Sequence, residues 1–424
     1  MSDKMLISNV RIIDPSSNFD AVTNLLVCDG KIAAIGSGFN ADSSTEVING
    51  TGLVAAPGFI DMHVHLRDPG QTHKENIESG CLAAAAGGVT SLVCMPNTNP
   101  VADCPEVINY IKEETAKACG VKVYPAASIT KGLAGEEQTK FSLLRQAGAI
   151  AVTDDGRPVE DDAILRRAMV SADKHNLTIL CHCENMELSR GGVMNKGKIS
   201  EQLEVPGIPN EAEDSDTKRV IDLAEKSGTA VHICHVSTRG SVALIREAKK
   251  RGVRVTAETA PHYFTFTETR LLERDADYRM NPPLRTFADR FAVIEGLCDG
   301  TIDAIATDHA PHTPEEKADF LSAPCGVIGM ETSFSASFKY LKEFMTLSEI
   351  IACMTIKPAQ ILGLNAGTLQ IGAPADIVLF NPRDIWTVDP EKLHGKSKNA
   401  VFKGKNLLGR IYYTICDGKI VYKR

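Results

Sequence analysis

The middle of this chain repeats one unit eight times, a short apolar run followed by a segment of helical period. The runs fall at Gly58–Leu66, Val89–Met95, Val121–Ala127, Ala149–Thr153, Thr178–His182, Ala230–Val236, Val253–Glu258 and Ile302–Thr307. Amphipathic stretches such as Glu106–Ala118, Asp161–His175 and Ser241–Arg251 lie between them. Strictly alternating strands and helices demand parallel strands with right-handed crossovers, and eight such strands close naturally into a ring. The predicted fold class is therefore α/β, a (β/α)8 TIM-like barrel over residues 56–363. An open doubly wound sheet is the alternative, but no G-x-G-x-x-G follows any of the strands.

The two ends read differently from the middle. Residues 1–55 carry short strand-like runs, with Asp29-Gly30 as a tight-hairpin signal. Cys28-Asp-Gly-Lys-Ile32 recurs at Cys416-Asp-Gly-Lys-Ile420. Residues 1–55 and 364–424 are accordingly expected to build one small β-sandwich from both ends.

Composition excludes several function classes. A net charge of −8 and a pI near 5.8 argue against a nucleic-acid partner, and no basic block suggests a membrane surface. The most apolar stretch, Cys81–Met95, is broken by Gly87-Gly88 and is too short to span a bilayer. The N-terminus has no signal-peptide core, and the 12 cysteines sit singly in apolar segments. Both features suit a reducing cytoplasm.

Titratable residues collect at the strand ends, where barrel active sites lie. Strand 1 ends in His63 and His65, strand 4 in Asp154-Asp155, strand 5 in His182, strand 6 in His235 and strand 8 in Asp308. Residues i and i+2 of a strand point the same way, so His63 and His65 form the first half of a metal site. His232 lies three residues before His235 and faces the opposite way; His235 is chosen as nearer the strand end. His73, His175, His262 and His394 are left as structural or surface residues, and Cys181 and Cys183 as non-ligands. Four histidines and a carboxylate at each of two strands can serve two zinc ions if one carboxylate bridges them. Adjacent residues point to different sides, so only one of Asp154 and Asp155 can face inward.

The motifs Pro57-Gly-Phe-Ile-Asp-Met-His-Val-His-Leu-Arg67, Met95-Pro-Asn-Thr98, Thr153-Asp-Asp-Gly156, Cys181-His-Cys-Glu184, His235-Val-Ser237, Met280-Asn-Pro-Pro283 and Thr307-Asp-His-Ala-Pro-His312 span nearly the whole chain. Together they resemble the dihydroorotases of the amidohydrolase superfamily. That resemblance implies a first zinc on His63, His65 and Asp308, a second on His182 and His235, and Asp155 as the bridge. Branches with a carbamylated lysine bridge, and the hydantoinases that share it, differ, since no lysine ends strand 4 here.

The reaction so implied is the reversible cyclisation of N-carbamoyl-L-aspartate to L-dihydroorotate in pyrimidine synthesis. Asp308 is the expected acid/base residue. Arg67 is expected to read the substrate carboxylate, with His65, Asn97 and His312 beside it and Asn281 on the ring amide. Residues 311–326, polar with little to bury, are expected to form a mobile lid, with backbone at Cys325 and Gly326 closing on the substrate. A homodimer and an association with another pyrimidine-pathway enzyme are both compatible with the resemblance. The rival is a hydantoinase or allantoinase, a cyclic amidohydrolase that lacks the arginine of His-x-His-x-Arg.

Overall fold

The computed structural model describes residues 4–39 and 41–424. Eight parallel strands run in chain order around a ring: β1 (Phe59–Val64), β2 (Val89–Cys94), β3 (Lys122–Ala127), β4 (Ala151–Val152), β5 (Thr178–Cys181), β6 (Val231–Ile233), β7 (Val255–Thr259) and β8 (Ala304–Ile305). The ring is shut just past the ladder. Val64 bridges His309, and the His65 amide donates to the His309 carbonyl at 2.8 Å. Asp61 braces the same seam by accepting from the backbone N–H (3.1 Å) and hydroxyl (2.6 Å) of Thr307.

Inside the ring, Ile60, Met62, Val93, Leu180 and Ala304 pack as an apolar plug, with Ala359 and Leu362 in the same cluster. The outer faces of the strands meet the helices through a larger apolar core. The helices start where short polar side chains satisfy their first N–H groups. Asp161, Thr238 and Thr286 each accept from a backbone amide three residues on.

The ladders are shorter than the apolar runs predict. β4 and β8 each pair over two residues, against expected runs of 149–153 and 302–307. Residues beyond each ladder remain buried but leave the sheet, because the chain turns there towards its helix. Those positions are the ones that carry the polar residues.

Both chain ends build one hydrogen-bonded sheet. It comprises Lys4–Asp14, Phe19–Cys28, Lys31–Gly36, Thr45–Asn49 and Val54–Pro57 from the N-terminal side, and Ile377–Thr387, Asn406–Cys416 and Lys419–Lys423 from the other. In the expected unit built from both ends, the strands are joined by pairing into one continuous sheet, and residues of both ends share one apolar core. Its strand Lys4–Asp14 is interrupted by an irregularity between Ile7 and Val10, where Asn9 takes φ 52°. The repeated Asp-Gly turns explain themselves in three dimensions. Asp29 and Gly30 have φ 49° and 74°, Asp417 and Gly418 φ 46° and 76°, as a two-residue hairpin requires. The two turns abut so closely that a Cβ on Gly30 would lie 2.9 Å from the Asp417 carbonyl oxygen. Lys122, at the start of β3, ties this sheet to the barrel through Asp376 (2.7 Å) and Asp417 (2.8 Å).

Candidate metal centre

Five of the six expected ligands lie just beyond a ladder end. His65 follows β1, Asp155 lies three residues past β4, His182 follows β5, His235 lies two residues past β6 and Asp308 three past β8. His63 is still within β1. Two of these residues hold left-handed backbone, His235 at φ 34° and Asp308 at φ 48°, and Arg67 joins them at φ 60°. Such conformations cost of order 1–3 kcal/mol each for a non-glycine residue and gather where a site constrains the chain. Strand alternation therefore does not govern Arg67 or His235, yet both side chains line one cleft.

The four histidines converge on Asp155. Its Oδ1 lies 3.4 Å from His63 Nε2, 3.5 Å from His182 Nδ1 and 3.6 Å from His235 Nε2, and its Oδ2 lies 3.4 Å from His65 Nε2. Asp308 Oδ1 stands 3.2 Å from His65 Nε2 and 3.6 Å from His63 Nε2. The neighbouring Asp154 turns away, and its Oδ1 accepts from the amides of Ile129 (2.7 Å) and Thr130 (3.1 Å).

The donor set fits divalent cations. His63 with His65 and Asp308, and His63 with Asp155 and His235, bring their ligating atoms within the span of one ion. Asp155 Oδ1 and His63 Nε2 are buried and have no hydrogen-bond partner among the described residues. Buried polar atoms are rarely left so unless something else completes them. Imidazole nitrogens and carboxylate oxygens are the donors zinc takes. A third grouping, His63 with Cys234 and Glu258, shares the same histidine.

Electrostatics favour the ionised form of both carboxylates in the cluster. Burial opposes ionisation of Asp155, but the neighbouring imidazoles, His63 first and then His182 and His235, outweigh it and hold the carboxyl well below its usual range. Burial likewise opposes charge on Asp308, yet His65 and His63 bring it down to about 2. Around the outside, other polar groups hold the imidazoles. His63 Nδ1 meets Glu258 Oε1 at 2.9 Å, His65 Nδ1 meets Asn97 Oδ1 at 2.8 Å, and His182 Nε2 meets Glu184 Oε2 at 2.8 Å. Glu184 also accepts from Asn281 Nδ2 at 2.8 Å.

A cleft of about 240 Å³ opens over this cluster. Arg67, Asn97, Asn281, His312, Cys325 and Gly326 line it together with His65, Asp155, His182, His235 and Asp308. Only His63 lies beneath, fully buried. The Arg67 guanidinium donates to the Pro311 carbonyl (3.2 Å) and stands 3.3 Å from His312 Nε2. His312 itself touches Glu316 (3.2 Å) and the Cys325 carbonyl (3.0 Å).

The segment 311–326 has more anchorage than its composition suggested. Phe320 and Ala323 are buried, and the sequestered Lys317 ammonium donates to the carbonyls of Arg279, Pro324 and Gly326. Sequence reasoning assigned no role to Glu184 or Glu258. The signal for Glu258 was present, since a carboxylate inside an apolar strand is almost never buried unless paired.

An eight-stranded barrel with a histidine–aspartate cluster at its C-terminal mouth is the architecture of metal-dependent amide hydrolases. A profile of the amidohydrolase family matches residues 54–421, and the chain belongs to that family. Within it, the protein named dihydroorotase of Geotalea daltonii is 47% identical over 422 residues, 99% of each chain. The one of Geobacter metallireducens is 48% identical over 99% of this chain and 100% of its own. Among solved structures, a D-hydantoinase matches with TM-score 0.86 at 25% identity, covering 100% of this chain and 95% of its own. The L-hydantoinase (dihydropyrimidinase) of Arthrobacter aurescens matches with TM-score 0.88 at 24% identity, covering 100% and 96%. Among the described residues, no helix is long and apolar enough to cross a membrane.

Proposed function

We propose that this protein is a dihydroorotase, interconverting N-carbamoyl-L-aspartate and L-dihydroorotate. The observation that carries the reading is the placement of Arg67 beside the His–Asp cluster in one cleft, together with full-length relatives of that name at 47–48% identity. The same reading divides the chain into a catalytic barrel of residues 56–363 and an accessory unit of residues 1–55 and 364–424.

In this reading His63, His65 and Asp308 would hold one zinc ion and His182 and His235 a second, with Asp155 available to both. Bound there, such ions would supply Lewis acidity for an amide carbonyl and for a water. The protein does the rest. Arg67 offers a planar fork of N–H donors to the substrate carboxylate, and Asn97 and His312 stand beside it. Asn281, oriented by Glu184, presents its amide to the ring. Asp308 is ionised, so it accepts the proton released by the attacking water and returns it to the leaving ring nitrogen. In ring closure the same groups work in reverse. Segment 311–326 closes over the substrate and limits access of bulk water.

The solved-structure neighbours favour a second reading, a hydantoinase. Against it stand the aspartate at the end of β4 and the cationic Arg67, for which hydantoin carries no carboxylate. Turnover of dihydroorotate, hydantoin and allantoin by one metal-loaded preparation tests the assignment. Dihydroorotate alone should be turned over efficiently; preference for hydantoin would overturn it.

A further inference from the structure

His232 and Glu258 are fully buried beneath the metal-ligand cluster, and the chemistry proposed above uses neither. Strand geometry brings them together. Thr256 and Glu258 are two residues apart on β7 and so share its inward face. His232, on β6, is the register partner of Thr256, and its Nδ1 meets the Thr256 hydroxyl at 2.8 Å. His232 Nε2 stands 3.4 Å from Glu258 Oε2, and Glu258 Oε1 lies 2.9 Å from His63 Nδ1.

The directions of these contacts are dictated by what each group can donate. An ionised carboxylate only accepts, so His63 presents its Nδ1–H to Glu258 and His232 presents its Nε2–H. His232 then has a lone pair at Nδ1 for the Thr256 hydroxyl proton. Apart from this mutual approach, neither Glu258 Oε2 nor His232 Nε2 has a hydrogen-bond partner among the described residues. Both groups are fully buried, so an unpaired carboxylate there would be costly.

We propose that Glu258, steadied by His232, is a positioning residue for His63. It fixes the tautomer whose free lone pair is on Nε2, the nitrogen that faces Asp155 and Asp308 at 3.4 and 3.6 Å. Its negative charge makes that lone pair a stronger donor to a cation. The inference rests on reading the cluster as a metal centre and is independent of which substrate is turned over.

The test compares full-length wild type, Glu258→Gln and His232→Gln, each loaded with cobalt(II). Three quantities are read: the cobalt absorption spectrum, metal affinity by chelator competition, and kcat and KM separately. Glu258→Gln keeps an accepting oxygen and loses the charge. It should bind metal roughly 10- to 100-fold more weakly, with an altered cobalt spectrum, a lower kcat and an unchanged KM. His232→Gln should act in the same direction and more weakly. Wild-type affinity with a wild-type spectrum in Glu258→Gln overturns the proposal. Should that variant not fold, an unchanged spectrum and affinity in His232→Gln overturn it instead. If the wild type itself takes up no cobalt on these residues, the metal reading fails, and the proposal falls with it.

Discussion

Asp154 and Asp155 are adjacent in the chain and point in different directions at the barrel mouth. Asp155 points into the histidine cluster, and Asp154 caps the backbone of Ile129 and Thr130 after β3. Replacing Asp155 with Ala should therefore abolish metal uptake and activity. Asp154→Ala should keep the metal and lower stability by about 1–3 kcal/mol, because it strands two buried amides and the Thr130 hydroxyl. Metal analysis and a urea titration of both variants check this. The reverse pattern would exchange their roles.

Arg67 is buried against His312 and the Pro311 carbonyl, with its fork facing the cleft. Arg67→Met removes a charge-assisted contact worth about 2–5 kcal/mol. KM for dihydroorotate should rise by roughly one and a half to three and a half orders of magnitude, with metal content unchanged. A near-normal KM would remove Arg67 from the substrate site.

Asp308 is assigned both metal and proton work, and Asn separates the two. Asp308→Asn retains an oxygen donor and cannot carry a proton. It should hold substantial metal and lose about 10²- to 10⁴-fold in kcat. Retained activity would assign the proton transfer to another group.

His312 is pushed down to about 3, first by burial and then by the charges of Arg67, Lys74 and Lys317. Unfolding frees it to take up a proton at an ordinary histidine value near 6.5. The unfolded state thus binds more protons between those values, and stability falls as pH drops from about 6.5 towards 3. His312→Gln has nothing to titrate, so its denaturation midpoint should decline less steeply over that window. Parallel curves for the two proteins would mean that His312 is not held neutral.

Segment 311–326 is clamped by the Lys317 ammonium and by buried Phe320. Amides of residues 313–322 should exchange with deuterium faster in the free protein than with dihydroorotate bound. Lys317→Met, which cannot donate to the three carbonyls, should speed exchange of the free form further. Equal protection with and without ligand would make the segment a fixed connection.

The sequence by itself determined the barrel, because strand–helix alternation at eight repeats leaves few ways to bury every apolar run. It also brought His63, His65, His182, His235 and Asp308 to one mouth, since parallel strands put all their C-terminal ends on the same side. Tertiary structure decided the rest. Which of Asp154 and Asp155 faces inward depends on a turn beyond the β4 ladder, where strand alternation no longer applies. The partnership of Glu258 with His63 joins β7 to β1, 195 residues apart, and no local periodicity encodes such a pair. The same holds for the Asp-Gly turns at 29–30 and 417–418. Each was legible as a hairpin from its own residues. That the two press together, closing one sheet from both ends, follows only from where the barrel delivers the chain.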